Sequence, residues 1–380
     1  MIDATTFSVS GERFTVVYRI HESATVAREI ADNICVEQTI EFPEVLIQDD
    51  DIRRHVIGQV QQWDDIDTST FDATISYAVE TSGYTLTQLM NVMYGNASLF
   101  PQVKVQSFEL PAALSDCFAG PRFGIAGLRR LFDRPTGPLL MTALKPQGLS
   151  AEALAEQANQ FALGGIDIVK DDHGLANQPF APFRERVAHC AAAVRRANEE
   201  TGGRTVYAPM LSGPSEQLME DAHFALEQGA GAFLLAPGLI GFDAARRIAA
   251  ADEFPVPMIG HPAMLGSYVV SPHNGYSHGA MFGQLMRLIG MDASIFPNYG
   301  GRFSFSKHAC QEVAASCLGA FNGYATIFPT PGGGMTLDRL PELSAFYGED
   351  VMFLIGGNLH RQGTTLAESS RAMRAKASTL

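Results

Sequence analysis

The sequence predicts an α/β protein with a C-terminal (β/α)8 TIM barrel and a smaller N-terminal α+β domain of the ferredoxin-like type. Beyond residue 121, eight short apolar runs alternate with amphipathic helical stretches. Before that point, strand and helix patterns are mixed. The length of 380 residues accommodates one barrel of about 250 residues together with a further module. We therefore expect an N-terminal domain at 1–118 and a barrel at 119–380.

The N-terminal part contains four segments with a clear period. Alternation of apolar and polar residues in RFTVVYRI and DATISYAVE is typical of half-buried strands. Helical periodicity covers SATVAREIADNI and TLTQLMNVMY. These segments predict the α+β domain.

The barrel is predicted from its strand candidates, which are PLLMTALK, IDIVKDD, TVYAPML, AFLLAP, VPMIGHP, ASIFPN, TIFPT and VMFLIGG. The helical stretches between them include AEALAEQANQFAL, RERVAHCAAAVRRANEE, SEQLMEDAHFALEQ and FDAARRIAAA. No closely spaced GxGxxG fingerprint follows a strand, so a dinucleotide-binding sheet is the weaker alternative. In a parallel barrel the C-terminal ends of the strands face the catalytic mouth. The residues at these ends therefore predict the active site.

Composition and charge exclude several classes of partner. A formal net charge of −14 opposes binding to a phosphate backbone, so no nucleic-acid partner is expected. No apolar stretch reaches the roughly 18 residues of a membrane span, and the first residues do not resemble a signal peptide. The five cysteines show no metal-ligand spacing and are expected to be reduced and mostly buried. We expect a cytoplasmic protein without a membrane partner.

Ionisable and polar residues cluster at the ends of four strands. Strand one ends in Lys145, strand two in the KDDH cluster at 170–173, strand five in His261, and strand six in Asn298 with Arg302 beyond it. Each feature alone has a structural interpretation: a snorkelling lysine, an aspartate that caps a helix, a core histidine. Their joint occurrence at the same predicted mouth favours an active site.

Glycines follow the last two strands, in PTPGGGM and LIGGN. Loops after barrel strands seven and eight commonly bind phosphate through backbone N–H groups, because glycine lets the oxygens approach closely. The alternative is that these glycines serve only as turn residues. With the ionisable strand ends, they predict a phosphorylated substrate bound by Gly333, Gly334, Gly356 and Gly357.

These segments resemble those of the RuBisCO superfamily over nearly the whole chain. GGIDIVKDDHGLANQPFAPFRERV is similar to the stretch that carries a carbamylated lysine and two acidic magnesium ligands. LKPQGLSAE resembles the strand-one segment with the catalytic lysine, and PTPGGGM resembles the phosphate loop. VEQTIEFP and LMNVMYGN resemble the N-terminal segments that supply a glutamate and an asparagine to the active site.

The resemblance implies a role for each matching residue. Lys170, as its carbamate, and Asp172 would hold Mg²⁺ with His173 in the third ligand position, while Lys145 would lie beside the enolate. His261 matches the family's strand-five histidine. Six further residues would bind the substrate: Gly333, Gly334, Gly356, Gly357, Asn298 and Arg302. Glu37 and Asn91 would come from a neighbouring subunit. The protein would then be a homodimer or a multiple of dimers.

Departures from the carboxylating pattern exclude carbon dioxide fixation. His173 stands where carboxylating members have a glutamate, and nitrogen is a poorer ligand for the hard ion Mg²⁺. Gln147 replaces the second lysine of strand one. Pro262 and Phe296 replace an arginine and a histidine of the second phosphate site, and the mobile loop presents Arg302 in place of a lysine. The pattern indicates a non-carboxylating RuBisCO-like protein of the form IV type.

Enolate chemistry on a singly phosphorylated ketose, such as a methylthio-pentulose phosphate, is the function that this resemblance implies. The expected enzyme is a Mg²⁺-dependent isomerase or tautomerase. A decarboxylase (lyase) of a 3-oxo sugar-acid phosphate is the alternative, because loss of carboxylate also needs a stabilised enolate. A catalytically silent binding or regulatory protein is the alternative from another class, and His173 and Gln147 are the residues that suggest it.

Overall fold

The computed structural model describes residues 8–303, 305–361 and 365–380, and the chain divides into two compact units. The first unit contains the residues up to 118 together with 265–284 and 321–323. The second contains 119–264, 285–320 and the residues from 324 onward. The segments 265–284 and 321–323 fall within the range 119–380 that was expected to form the barrel.

A five-stranded sheet forms the first unit. The strands are Arg13–His21, Gln59–Asp67, Thr70–Ala78 and Val103–Glu109, with the two-residue strand Gly275–Tyr276 at one edge. Arg13–His21 pairs antiparallel with both Thr70–Ala78 and Val103–Glu109, and Gln59–Asp67 lies at the other edge. The helices Ala24–Glu37 and Leu86–Tyr94 complete a βαββαβ order of the ferredoxin-like type. Short helical turns lie at Glu44–Leu46, Ile52–Val56, Val79–Ser82, Asn96–Leu99, Ala112–Ser115 and Gly266–Val269.

Eight parallel strands form the second unit. In chain order they are Leu139–Ala143, Ile168–Lys170, Val206–Ala208, Phe233–Leu235, Met258–Gly260, Ala293–Pro297, Phe328–Gly332 and Met352–Ile355, called barrel strands one to eight. Their order in the sheet is three, two, one, eight, seven, six, five, four. A parallel bridge between Met210 and Leu234 joins strands three and four, so the sheet closes on itself. The predicted (β/α)8 barrel is confirmed.

Helices separate the barrel strands as the sequence predicts. They are Gly124–Phe132, Ala151–Leu163, Phe183–Thr201, Leu218–Glu227, Phe242–Ala250, Lys307–Leu318, Leu340–Tyr347 and Leu366–Ala377, with shorter pieces at Pro237–Ile240, Ala280–Leu285, Met286–Leu288, Leu337–Arg339 and Gly357–His360. The serines at 150 and 306 cap helix N-termini by accepting a backbone N–H, which satisfies an otherwise unpaired donor. Thr365 and Glu368 form a reciprocal capping box.

The barrel interior is filled by apolar side chains of alternating strand residues. Met141, Ile168, Ile259 and Ile295 all belong to this cluster. Because side chains alternate between the two faces of a strand, residues two or four positions further on point to the same inner face. Polar residues that lie two or four positions after an interior residue therefore point into the mouth of the barrel.

The same alternation corrects one prediction for strand six. Phe296 was expected at a position facing the second phosphate site. Its neighbour Ile295 belongs to the interior cluster, whereas the Phe296 ring packs on Tyr347 with centroids 6.2 Å apart. The expected position was wrong by one residue, because the interior face of this strand is set by Ala293 and Ile295.

None of the helices in the described ranges combines the length and the apolar character that crossing a bilayer requires.

Candidate active site at the barrel mouth

Strand two delivers two of the expected residues to the mouth. Lys170 and Asp172 follow the interior residue Ile168 by two and four positions, so all three share one face of the strand. Lys170 is 1% exposed, and its Nζ donates a hydrogen bond to the carbonyl oxygen of Asp171 at 3.0 Å. Burial lowers the pKa of the Lys170 amine to about 8, against the opposing effect of the Asp172 carboxylate. A neutral amine is therefore accessible near neutral pH.

The carboxylate of Asp172 contacts two other predicted residues, Lys145 and His173. Its Oδ1 accepts a hydrogen bond from Lys145 Nζ at 2.5 Å, and His173 Nδ1 lies 3.4 Å from the same oxygen. Burial favours the neutral carboxyl, but hydrogen bonds from His173 and Lys145 and the charges of the two lysines outweigh it and lower the pKa of Asp172. The mouth thus holds an ionised carboxylate between two lysines.

Strand five adds a neutral imidazole to this group. The ring of His261 stacks on that of His173, with centroids 4.5 Å apart and planes inclined by 15°. Burial, followed by the charge of Lys170, holds the pKa of His261 well below its usual range. Its Nδ1 accepts a hydrogen bond from the Ala263 backbone N–H at 3.1 Å, so the ring proton lies on Nε2.

Asp171 faces the opposite side of the same strand. Its carboxylate accepts hydrogen bonds from Arg186 Nε at 3.1 Å, Tyr207 Oη at 2.7 Å and the Met210 backbone N–H at 3.1 Å. Both Asp171 and Arg186 are 0% exposed. Asp171 is therefore neither a mouth residue nor a helix cap; it is half of a buried ion pair that fixes the end of strand two from behind.

Three of the four glycines after strands seven and eight offer free backbone donors. Within the described ranges, the N–H groups of Gly334, Gly356 and Gly357 make no hydrogen bond to the protein, whereas that of Gly333 follows the ladder pair Gly332–Leu354 and faces strand eight. A Cβ added at Gly356 or Gly357 would meet no atom within 4 Å, so the space beside them is open. Gly333 and Gly334 have φ angles of +103° and +68°, which favour glycine. Unpaired donors next to open space are what an anion requires.

The two predicted residues of strand six differ in their surroundings. Asn298 is buried, with its Oδ1 accepting from Tyr347 Oη at 2.6 Å and its Nδ2 3.4 Å from the carbonyl oxygen of Gly333. It thus supports the glycine loop through its side chain. Arg302 is exposed, and its guanidinium lies over the Phe303 ring at 4.6 Å.

Glu37 and Asn91 lie in the first unit. Glu37 Oε1 accepts a hydrogen bond from Asn96 Nδ2 at 2.8 Å, and Asn91 Nδ2 donates to Gln88 Oε1 at 3.3 Å. The buried amide of Gln38 joins their two helices, because Nε2 donates to the Asn91 carbonyl at 2.8 Å and Oε1 accepts from the Ala97 N–H. Both predicted residues thus project from one connected part of the first unit.

Three residues that matter at the mouth were not predicted as site residues. Arg186 and Tyr207 hold Asp171, and Arg339 contacts the glycine loop through the Gly334 carbonyl at 3.1 Å. The sequence contained a hint of the role of Arg186. Asp171 alternates with the inward-facing residues of strand two and so points outward, towards the next helix, which carries Arg186. A lone arginine in a polar loop carries no comparable signal.

Comparison with known proteins agrees with this geometry. The family described as ribulose bisphosphate carboxylase large chain, catalytic domain, matches residues 124–299. The 5-methylthioribulose-1-phosphate isomerase of Rhodospirillum rubrum is 40% identical over 366 residues, which is 95% of each chain. The 2,3-diketo-5-methylthiopentyl-1-phosphate enolase of Bacillus licheniformis is 30% identical over 92% of this chain and 86% of its own.

A solved structure matches the fold over a similar length. The crystal structure of the Rubisco-like protein from Rhodopseudomonas palustris superposes with a TM-score of 0.87 at 37% identity, covering 96% of this chain and 97% of that one. The similarity in sequence and in structure to these proteins extends over both compact units of the chain. The chain therefore belongs to the RuBisCO superfamily, as a RuBisCO-like protein.

Proposed function

We propose that this protein is a non-carboxylating enzyme that forms an enolate from a singly phosphorylated ketose and isomerises it. The observation that carries the proposal is the meeting of Lys145, Lys170, Asp172 and His261 at one mouth that also has unpaired N–H groups at Gly334, Gly356 and Gly357. The isomerase and enolase named among the relatives act on methylthiopentyl or methylthioribulose phosphates, which supports this class of substrate.

Lys145 is the residue proposed to move the proton. Its Nζ is held at 2.5 Å by Asp172 Oδ1 and its side chain is 42% exposed, so it is both oriented and open to a substrate. In the reaction the neutral amine would accept the proton from the carbon next to the carbonyl and, as the ammonium, return it to a different carbon. The intermediate enolate carries negative charge on the carbonyl oxygen. The Nε2–H of His261, neutral because its pKa is lowered, would donate a hydrogen bond to that oxygen.

The donor set fits a divalent cation once Lys170 carries a carbamate. The amine nitrogen would add to the carbon of CO2 and lose a proton, which requires the neutral amine that the lowered pKa of Lys170 supplies. The carbamate and Asp172 would then hold the cation through oxygen and His173 through nitrogen. When bound, the cation polarises the substrate carbonyl. Because one ligand is an imidazole, Mn²⁺ is expected to bind more tightly than Mg²⁺.

Glu37 and Asn91 are proposed to complete the mouth of a neighbouring subunit. Their resemblance to the family's N-terminal active-site segments supports this role. The protein should then be a dimer or a multiple of dimers, and light scattering after size exclusion is the test. A monomer at micromolar concentration contradicts this assembly.

Proton exchange tests the proposed reaction. The protein is incubated in deuterated water with 5-methylthioribulose 1-phosphate, in the presence of bicarbonate and Mg²⁺ or Mn²⁺, and the products are followed by NMR. We expect deuterium at the carbon next to the carbonyl and formation of an isomer. Ribulose 1,5-bisphosphate with labelled bicarbonate should give no fixed carbon.

Three outcomes separate the alternatives. Exchange that disappears in Lys145→Met supports the proposal. Release of CO2 from a 3-oxo sugar-acid phosphate without exchange on the ketose identifies a decarboxylase. No exchange with a panel of singly phosphorylated ketoses contradicts an enzyme of this type and leaves the binding or regulatory role.

A further inference from the structure

Arg339 lies against the glycine loop after strand seven, outside the lysine and histidine cluster described above. Its Nη1 donates to the Gly334 carbonyl at 3.1 Å, and a Cβ at Gly334 would lie 2.9 Å from the same nitrogen. A Cβ at Gly300, in the loop after strand six, would lie 3.4 Å from this nitrogen. One guanidinium thus touches the backbones of two mouth loops.

The two loops are also in direct contact with each other. A Cβ at Gly301 would meet the carbonyl carbon of Gly333 at 3.2 Å, and one at Gly334 would meet the Gly300 carbonyl oxygen at 3.1 Å. A side chain at Gly301 or Gly334 would have to push the other loop back by a few tenths of an ångström. Their contact therefore depends on glycine, and Arg339 lies at the edge of that contact.

Arg339 is itself held in place by its neighbours. Its guanidinium lies 5.4 Å from the centre of the Tyr299 ring, and its Nε is 3.5 Å from Glu342 Oε2. Tyr299 Oη donates to Glu342 Oε1 at 2.9 Å. The side chain of Arg339 is 27% exposed, so its charge is only partly screened by solvent.

From these contacts we infer that Arg339 is a positioning residue for the phosphate: it fixes Gly334 through the carbonyl oxygen and adds a positive charge beside the N–H group of Gly334. The Gly334 carbonyl shares a rigid peptide plane with the Met335 N–H, so the bond from Arg339 restrains the loop directly after Gly334. A fixed cation next to backbone donors also strengthens anion binding. This inference rests on the proposed function, because it assumes that the glycines bind the phosphate of the substrate.

Binding of inorganic phosphate, measured by titration calorimetry, tests the inference without any turnover. Arg339→Met should weaken phosphate binding about tenfold, the usual effect of losing a charge-assisted contact. Arg246→Met is the matched control, because Arg246 forms the same kind of pair three residues from Asp243 and is 26% exposed. The control should bind phosphate as the unaltered protein does, and its melting temperature should change by about as much as that of Arg339→Met.

Glu342→Gln distinguishes a charge effect from a purely structural clamp. Removing the carboxylate leaves the charge of Arg339 less compensated, so phosphate binding should tighten about twofold. A structural clamp predicts the opposite sign, because Tyr299 and Arg339 both lose a partner. Weaker binding in Glu342→Gln, or unchanged binding in Arg339→Met, overturns the inference.

Gly357→Val tests the anion site itself. A Cβ there meets no atom within 4 Å, so the valine should block phosphate while leaving stability unchanged. If this variant loses phosphate but Arg339→Met does not, only the role of Arg339 is wrong. If the unaltered protein binds no phosphate, the anion site of the proposed function and this inference both fail.

Discussion

Barrel strand two ends in two ion pairs on opposite faces, and they differ mainly in their access to water. Arg186 and Asp171 are both 0% exposed and 3.1 Å apart behind the strand. Lys145 and Asp172 are 42% and 15% exposed and 2.5 Å apart in front of it. Two adjacent carboxylates therefore have different tasks, because alternation along a strand sends one into the protein and the other into the mouth.

The hidden pair, Arg186 and Asp171, fixes the end of strand two. The open pair, Lys145 and Asp172, is available to a ligand. Asp171 receives two further hydrogen bonds, from Tyr207 and Met210, so its negative charge is well compensated. Arg186 Nη2, by contrast, has no hydrogen-bond partner among the described residues, which limits the net stability of the pair. The open pair is screened by water and adds little to stability, but a substrate or cation can reach it.

Arg186→Met gives the largest expected effect on the hidden side. It leaves a buried carboxylate without its cation, and the free energy of unfolding should fall by about 3–5 kcal/mol. Urea denaturation followed by circular dichroism measures the change. The double variant with Asp171→Asn should recover much of the loss, because no unpaired charge remains. A loss below about 1 kcal/mol contradicts a structural role for the pair.

Lys145→Met tests the open side, where activity and not stability should respond. Losing the group that transfers the proton should lower kcat about a thousandfold, within the range measured for acid–base residues. The free energy of unfolding should change by less than about 1 kcal/mol, since Lys145 is 42% exposed and Asp172 keeps His173 as a neighbour. Steady-state kinetics and urea denaturation of the same samples give both numbers. A large loss of stability with retained turnover would show that the two sides are alike.

The pH dependence of stability tests the burial of Lys170, which lies between the two pairs. The folded-state pKa is about 8 and the ordinary value is 10.5, so the unfolded chain binds more protons between these values. Stability relative to Lys170→Met should therefore rise by about 3 kcal/mol from pH 8 to pH 10.5. The measurement is made by urea denaturation without CO2 or metal ions. A flat difference contradicts a buried, destabilised ammonium.

His173→Glu should have the smallest effect and refines the open side. A third oxygen ligand should tighten Mg²⁺ about tenfold and reduce the preference for Mn²⁺. Competition with Mn²⁺ in electron paramagnetic resonance measures both. The background carries His189→Ala, because Glu152, Glu185 and His189 form an exposed group with ligand atoms within 4.8 Å. No carboxylation should appear; if it does, our interpretation of the departures is wrong.

The sequence was sufficient for the architecture because each barrel strand is an apolar run bounded by polar or glycine residues. It was insufficient for Gln59–Asp67, a polar edge strand that is mostly exposed and has no buried face to show alternation. Lys145, Lys170, Asp172 and His261 were predicted to share the mouth because ionisable side chains and the ends of barrel strands coincide there. Phe296 was misplaced because parity along strand six depends on which residues fill the interior.

The glycine loop shows a different limit of the sequence. The four glycines were predicted as a group, but the sequence does not show that a substitution at Gly333 or Gly334 would also strain the backbone. Both have positive φ angles, and a Cβ at Gly334 would collide with Arg339. The partnership of Gly334 with Arg339 depends on the folded loop, and five positions of separation in a polar segment do not reveal it.

The bridge at which the barrel closes bears on how the protein should lose activity on warming. Met210 pairs with Leu234 across that closure, and its N–H also holds Asp171. Opening of the bridge would thus loosen the end of strand two while the other strands stay paired. Such partial opening costs less free energy than global unfolding. Amide hydrogen exchange at Leu211 and Leu234 should therefore report the local event that inactivates the mouth, below the temperature at which the barrel melts.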